Sequence, residues 1–294
     1  MKLSLVLIIF RSNSPIAEET AKFCERILDE KNILSTKLAS DFNKNNIDDI
    51  FTKEQIPDLL IVLGGDGTVL KSTDAIANHN IPILSFNIGG NLGFLTQDKQ
   101  FLLDKSFLKL IEKDCFEINK RSMLECTVFD ENNELCNTSQ KRKYIALNDF
   151  YFKSKEDDLS STNQIKIKID DEPVNEYKGD GLIISSATGS TAYSMAAGGP
   201  IVHPSIDSII INPICPMSLS SRPIIIPGES KIVIMTLNRE LQIWKDGSKC
   251  ISFNKSDYCV IKKSSSITKM IALKNSTSYY STLVKKLEWR GNLS

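Results

Sequence analysis

The chain has 294 residues, enough for two domains with separate cores. Its 36 basic and 36 acidic side chains cancel, so no global field draws it to nucleic acid or to an anionic membrane surface, and any anion site has to be local. An apolar fraction of 41% and a charged fraction of 24% are those of an ordinary globular protein.

The first apolar run, Leu5 to Phe10 within "LSLVLIIF", is far short of the roughly 20 residues of a membrane span. It stops at Arg11 without the small-residue cleavage pattern of a signal peptide, so it reads as a buried first strand. A helix is predicted from about Pro15 to Lys31, opened after Ser14 and carrying Glu18 and Glu19 in its first turns. "DLLIVLGG" and "IPILSFNIG" read as further strands, apolar on both faces, with the helical spacing of "TVLKSTDAIANHN" between them. Apolar strands alternating with helices predict a parallel sheet covered on both sides.

From about Arg121 to Lys274 the texture changes. "LECTVFD", "QIKIKIDD", "KIVIMTL", "LQIWKDG" and "YCVIKK" are short runs, often alternating, separated by Asn, Asp, Gly, Pro and Ser, which predicts antiparallel β structure. The polar stretch Lys153 to Thr162 reads as a solvated loop. Helical spacing returns in "YYSTLVKKLEW", Tyr279 to Trp289. The expected organisation is an α/β domain over 1–118, a mainly-β domain over 119–274, and a tail, 275–294, that packs back on the first.

Several chemistries are disfavoured. Seven cysteines, an odd number without a C-x-x-C pair, point to reduced, buried thiols in a cytoplasm. His79 and His203 are the only histidines and lie in no zinc-binding pattern, so no protein-only metal site is expected. There is no G-x-S-x-G elbow.

The segment "LLIVLGGDGTVLKS", Leu59 to Ser72, sets glycines around one aspartate between a strand and a helix. It completes neither a dinucleotide fingerprint, having Leu70 where a third glycine belongs, nor a Walker A loop. Backbone N–H groups at such a helix start stabilise an anion, and glycines let a phosphate approach. A carboxylate there repels phosphate, so Asp66 is an N-cap, a metal partner or a proton acceptor. Lys71 lies one turn beyond Gly67 and can supply positive charge. A second Gly-Asp-Gly, at 179 to 181, leads through a short apolar strand to Thr188, Gly189, Ser190, Thr191 and Tyr193. Small hydroxyl residues and glycines admit a flat ligand while offering hydrogen bonds.

Five elements now stand in one order: "GGDGT" at 64–68, "NIGGNLGFLT" at 87–96, "ALND" at 146–149, "DGLIISSATGSTAYSMAAGGPIVHP" at 180–204 and "PICPMSLSSRPIIIP" at 213–227. Together they resemble the NAD kinase family. The first alone is shared with lipid kinases, whereas its combination with Asn-Asp and Gly-Ser-Thr-Ala-Tyr is specific. The resemblance implies a Rossmann-like N-terminal α/β domain, a mainly-β, β-sandwich-like C-terminal domain and a cleft between them. It also implies transfer of the γ-phosphate of ATP to the 2′-hydroxyl of the adenosine ribose of NAD, with a divalent metal ion, Mg²⁺, carried by ATP. Family members are homodimers or homotetramers, and neither nucleic acid nor membrane is an expected partner.

Carried onto this chain, the resemblance makes Asp66 the proton acceptor for the 2′-hydroxyl, with Gly67 and Lys71 near the phosphates. An aspartate is a weak base, but phosphoryl transfer through a loose transition state releases the proton late and depends mostly on positioning. Asn148 and Asp149 match an Asn-Glu pair that binds the adenosine part of NAD, here with a carboxylate one methylene shorter. Lys178 and Asp180 fall where the family sets a basic residue and an aspartate against the dinucleotide. Thr191, Ala192, Tyr193, Ser194 and Ala196 fall on its Thr-Ala-Tyr segment, which Thr188 opens. Ser248 stands where many members have Gln, and Ala187 replaces a usual Pro; His203 is assigned a structural role. The rival expectations are a diacylglycerol-type lipid kinase, for which "GSTAYSMAAGGP" has no use, and a catalytically silent NAD-binding regulator, which has no need of an intact Asp66.

Overall fold

The computed structural model describes residues 1–42, 51, 56–77, 79–90, 93–130, 132, 143–154 and 162–289. Asn91 and Leu92 of the second motif, Cys136, residues 155–161 of the polar stretch and the end of the tail lie outside the described residues. The chain divides into two compact units, one of residues 1–120 with 268–294 and one of residues 121–267.

In the first unit, β1 (Leu5–Phe10), α1 (Pro15–Asp29), β2 (Leu34–Ala39), β3 (Leu59–Leu63), α2 (Asp66–Ile76) and β4 (Pro82–Asn87) alternate. Parallel pairing gives the strand order β4-β3-β1-β2. β3 is buried at every position, as a sheet covered on both faces requires. α1 starts where Ser14 accepts from the Ala17 N–H and Pro15 takes the first turn, and its buried stripe is Ala17, Ala21, Cys24, Ile27 and Leu28. The helix ends at Asp29, two residues before the expected Lys31. β2, "LSTKLA", was not expected, because it is an edge strand with only partial burial and carries no apolar run. β5 (Gln97–Asp98), α3 (Gln100–Leu103) and α4 (Ser106–Glu112) complete this part of the chain.

β6 (Phe116–Phe129) leads into the second unit, followed by β7 (Tyr144–Ala146), β8 (Asp149–Lys153), β9 (Asn163–Ile169), β10 (Glu172–Gly179) and β11 (Gly181–Ser186). After a 3-10 turn, Thr188–Thr191, come α5 (Tyr193–Ala196), β12 (Ser208–Ile214), β13 (Ile224–Pro227), β14 (Ile232–Thr236), β15 (Leu241–Lys245), β16 (Ser248–Phe253) and β17 (Tyr258–Leu273). An antiparallel sheet runs β13-β12-β11-β8-β15-β16, while β10, β9, β14 and β17 pair antiparallel in a second. Phe150, Phe152, Leu182, Ile184 and Ile243 of the first meet Ile165, Ile167, Ile232, Ile234 and Ile261 of the second in one apolar core. Alternation explains this, since β9 buries every second residue at its start.

β17 ends in the first unit, where Lys269 and Met270 pair with Pro82 and Ile83. α6 (Tyr279–Lys286) follows, capped by Ser278. Cys24, Cys126 and Cys259 are buried as expected, but Cys115 and Cys250 are only partly so and Cys215 is exposed. Cys215 sits at φ 44° beside the Asp180 backbone, a left-handed turn position that keeps it at the surface. Among the described residues no helix is long and apolar enough to cross a membrane.

Candidate functional site

The predicted residues form two groups, one in each unit. In the first, Gly65, not Asp66, is the N-cap of α2, and it makes no side-chain cap bond; Asp66 is the first helical residue. The capping alternative therefore falls. The Asp66 carboxylate reaches forward instead, with Oδ2 accepting from the Phe94 N–H at 2.9 Å and Oδ1 from the Leu95 N–H at 3.1 Å. This grip requires Gly93, because an added Cβ would overlap the Asp66 Oδ1 and lie 2.6 Å from Oδ2. The Phe94 ring is in turn held by the C-terminal helix, 6.1 Å from the Tyr279 ring and with Lys286 Nζ 4.6 Å from its centroid. Asp66 is half-buried, while Gly67 and Lys71 are exposed on the same first turns of α2. The Thr68 and Val69 N–H groups donate to the Gly65 carbonyl at 2.9 and 3.3 Å, while the first N–H groups of a helix have no partner within it.

In the second unit, Asn148 and Asp149 lie where the chain enters β8, both buried. Their segment is fixed from two sides. On one, Ser186 Oγ donates to the Leu147 carbonyl, and the Asn148 carbonyl accepts from the Ser186 N–H at 2.8 Å and Ser185 Oγ at 3.3 Å. Gly189 presses so closely that a Cβ would overlap the Asn148 carbonyl. On the other, the Asp246 carboxylate accepts from the N–H groups of Leu147, Asn148 and Asp149 at 3.0, 2.8 and 3.2 Å.

The Ser/Thr cluster forms the turn above β11. Thr188 is buried, and Thr191 and Ala192 are half-buried. Ser190 Oγ ties the turn to the Val202 backbone. Ser194 is fully buried; Asn212 Nδ2 donates to its carbonyl at 2.8 Å and reaches its Oγ at 3.4 Å, which seats α5 on the sheet. Ala196 and Tyr193 remain exposed. The Tyr193 ring stands edge-on to Tyr151 at 4.8 Å, Tyr151 stacks on Trp244 at 5.8 Å, and Lys153 Nζ lies 4.3 Å from the Trp244 ring centroid. Asp180 and Lys178 are exposed at the end of β10. The Asp180 N–H donates to the Ile214 carbonyl, and its own carbonyl accepts from Asn163 Nδ2 at 2.7 Å.

Burial, and then the charge of Asp246, pushes the Asp149 carboxyl up to about 8. Burial also raises Asp246, against the three N–H donors that favour its anion. Tyr151 is pushed up to about 12 and Tyr193 is raised, both chiefly by burial and both with Asp149 nearby. A hydrogen bond from its thiol to Asp180 raises Cys215. His203 Nδ1 lies 2.7 Å from Ser205 Oγ, a local turn contact. Ser248, at the start of β16, is exposed, and Ala187 is buried with Val202 and Ile210.

Asp246, Asn212 and Gly93 hold the candidate residues in place and were not among those predicted. Asp-Gly in "KDGSK" marks a two-residue hairpin, but not the segment that its aspartate meets.

Residues 6–115 match the ATP-NAD kinase N-terminal domain and residues 147–273 the ATP-NAD kinase C-terminal domain. The chain is 59% identical to NAD kinase 1 of Prochlorococcus marinus subsp. pastoris over 98% of both chains. It is 39% identical to NAD kinase 1 of Parasynechococcus marenigrum, over all of this chain and 98% of the relative. The fold is that of yeast NADH kinase, solved with NADH (TM-score 0.84, 24% identity, 100% of this chain and 90% of that one). It is also that of an NAD kinase from Archaeoglobus fulgidus, solved with ATP (TM-score 0.73, 21% identity, 98% and 100%).

Proposed function

The chain belongs to the ATP-NAD kinase family, and on that premise we infer that it phosphorylates NAD with ATP, the γ-phosphoryl group passing to the 2′-hydroxyl of the adenosine ribose to give NADP. The observation that carries the residue assignment is Asp66, held at the first turn of α2 by two backbone donors rather than spent on capping the helix. In this reading the ribose hydroxyl attacks the γ-phosphorus as the bond to the leaving ADP oxygen breaks, and Asp66 receives the hydroxyl proton. The Phe94 and Leu95 N–H groups fix the plane of its carboxylate, and Gly67 and Lys71 meet phosphate oxygens.

The second unit binds the dinucleotide. Asn148 and Asp149 take the adenosine part, Lys178 and Asp180 flank it, and Thr188, Thr191, Ala192, Tyr193 and Ala196 shape the turn beside it. Ser194 holds that turn through Asn212. Among the described residues no group of three or more His, Cys, Asp or Glu side chains is placed to hold a metal ion. Mg²⁺ enters, in this account, as part of the ATP substrate. A homodimer or homotetramer in the cytoplasm belongs to the same reading.

The test is incubation of the purified protein with NAD, ATP and Mg²⁺, with NADP detected by an NADP-specific dehydrogenase and diacylglycerol offered as a competing acceptor. NADP without lipid phosphorylation is expected. Lipid phosphate without NADP would overturn the reading.

A further inference from the structure

We propose that Asp246 is a positioning residue of the dinucleotide site: its carboxylate, bonded to three consecutive backbone N–H groups, fixes the segment from which the Asn148 and Asp149 side chains are presented. The proposal rests on the assignment of that segment to NAD. Asp246 and Gly247 form the two-residue loop between β15 and β16, at φ 47° and 79°, the left-handed pair that such a hairpin requires. Aspartate tolerates this conformation, so the turn brings a carboxylate over the start of β8 without a large strain. The Asp246 N–H donates to the Asp149 carbonyl at 3.1 Å, which locks turn and strand reciprocally.

The segment Leu147 to Asp149 thus sends its donors to Asp246, while the carbonyls of Leu147 and Asn148 are taken by Ser185 and Ser186. Its geometry depends on side chains distant in sequence, and Asp246 supplies all the N–H acceptance. Hydrogen bonds to a charged group are the stronger kind, and three on one carboxylate favour the anion.

The Asp246 carboxyl also bears on its neighbour. Asp149 is buried beside it and faces Tyr151 on its own strand and Tyr193 on α5; Lys245, also buried, offsets the charge of Asp246 from β15, and Asp180 and Cys215 reach Tyr193 from beyond. Burial first, and then the charge of Asp246, holds the Asp149 titration up at about 8, so its proton is kept near neutrality. A neutral carboxyl can donate as well as accept a hydrogen bond and does not repel the pyrophosphate of a dinucleotide. NAD affinity is therefore lost as pH rises through the titration of Asp149.

The experiment is steady-state kinetics of Asp246→Asn over pH 6 to 9.5 (roughly the range that brackets a raised carboxyl), beside Asn148→Ala, Asp149→Ala and Asp149→Asn, each checked by thermal melting. Asn keeps the side-chain size and tolerates positive φ, but it accepts through one oxygen only. In Asp246→Asn the KM for NAD should rise about tenfold, the size expected for one charged hydrogen bond, while kcat and the KM for ATP stay within about twofold. The alkaline loss of 1/KM for NAD should move to lower pH, because the Asp246 charge that helps hold the Asp149 titration up is gone. Asp149→Asn, neutral at every pH, should abolish that alkaline loss; if Asp246→Asn does not fold, Asp246→Ser, which accepts through a single oxygen, tests the positioning role by the same rise in the KM for NAD. An unchanged KM for NAD in Asp246→Asn, with Asn148→Ala and Asp149→Ala raising it, would overturn the positioning role. Unchanged KM in all of them would overturn the assignment of the segment itself.

Discussion

Replacing Gly93 by alanine perturbs Asp66 without substituting it. The added methyl would overlap Oδ1 of the Asp66 carboxylate and lie 2.6 Å from Oδ2, where about 3.5 Å is an ordinary contact. The carboxylate must therefore retreat by on the order of 1 Å, and a displacement of that size at a reacting group costs roughly 100-fold in rate. It also loses its alignment with the Phe94 and Leu95 N–H groups, each charge-assisted bond being worth about 1.5–3 kcal/mol. No positive φ opposes alanine at position 93, so the backbone itself accepts the change. The assay is NADP formation at saturating NAD and ATP, with KM for NAD and a thermal melt measured in parallel. We expect kcat to fall by about 100-fold, with a KM for NAD within a few-fold of the native value, since the proposed dinucleotide residues are elsewhere in the chain. A kcat within twofold of native would refute the reasoning, because either the carboxylate plane or the residue itself would then be irrelevant to the chemistry.

Asn212→Ala removes the amide that holds the Ser194 carbonyl, and should lower stability by about 1–3 kcal/mol and raise the KM for NAD by loosening the turn that carries Tyr193; denaturant unfolding and kinetics check both. Asp149 has a folded-state titration raised from the ordinary 3.8 to about 8, so the folded chain holds the extra proton between those values. Its contribution to stability is full below the unfolded value and is lost as pH rises to about 8, so Asp149→Asn should gain melting temperature over the native protein between pH 6 and pH 8; a difference that stays flat over that window would contradict the sign. Light scattering should give twice or four times the chain mass of 32.9 kDa, and a value of one chain would remove the oligomer from the account.

The parts of the fold that could be read directly are those whose burial leaves a periodic trace. β1, β3 and β4 are continuous apolar runs because both faces of their sheet are covered, and α1 is bracketed by Ser14 and Pro15. β2 leaves no such trace, because Ser35, Thr36 and Lys37 suit an edge with solvent beside it. β9 shows the alternation of a strand with one buried face, and the second unit's mainly-β character follows from several such segments.

The site was legible through composition at its turns and illegible in its long-range contacts. Glycine and hydroxyl residues at 64–68 and 188–194 announced places where a ligand or backbone comes close, but not which of the two. Gly93 and Gly189 are occupied by protein, one by the Asp66 carboxylate and the other by the Asn148 carbonyl. Asp66 lies 28 residues from the Phe94 N–H that it accepts, and Asp246 lies 99 residues from that of Leu147. Local propensity carries no information on either pairing. The exposed Cys215 shows the same limit, since a thiol in an apolar-looking sequence is brought to the surface by a turn at positive φ.

The most direct test of the central claim is a single-turnover measurement of NADP formation by the native chain and by Asp66→Asn, on samples shown by titration to bind NAD equally. Asp66→Asn is expected to bind NAD and MgATP and to form NADP at least about 100-fold more slowly, because the acceptor of the 2′-hydroxyl proton is gone. Equal rates of NADP formation in the two proteins would contradict it and leave Asp66 as no more than the anchor of the Phe94–Leu95 backbone.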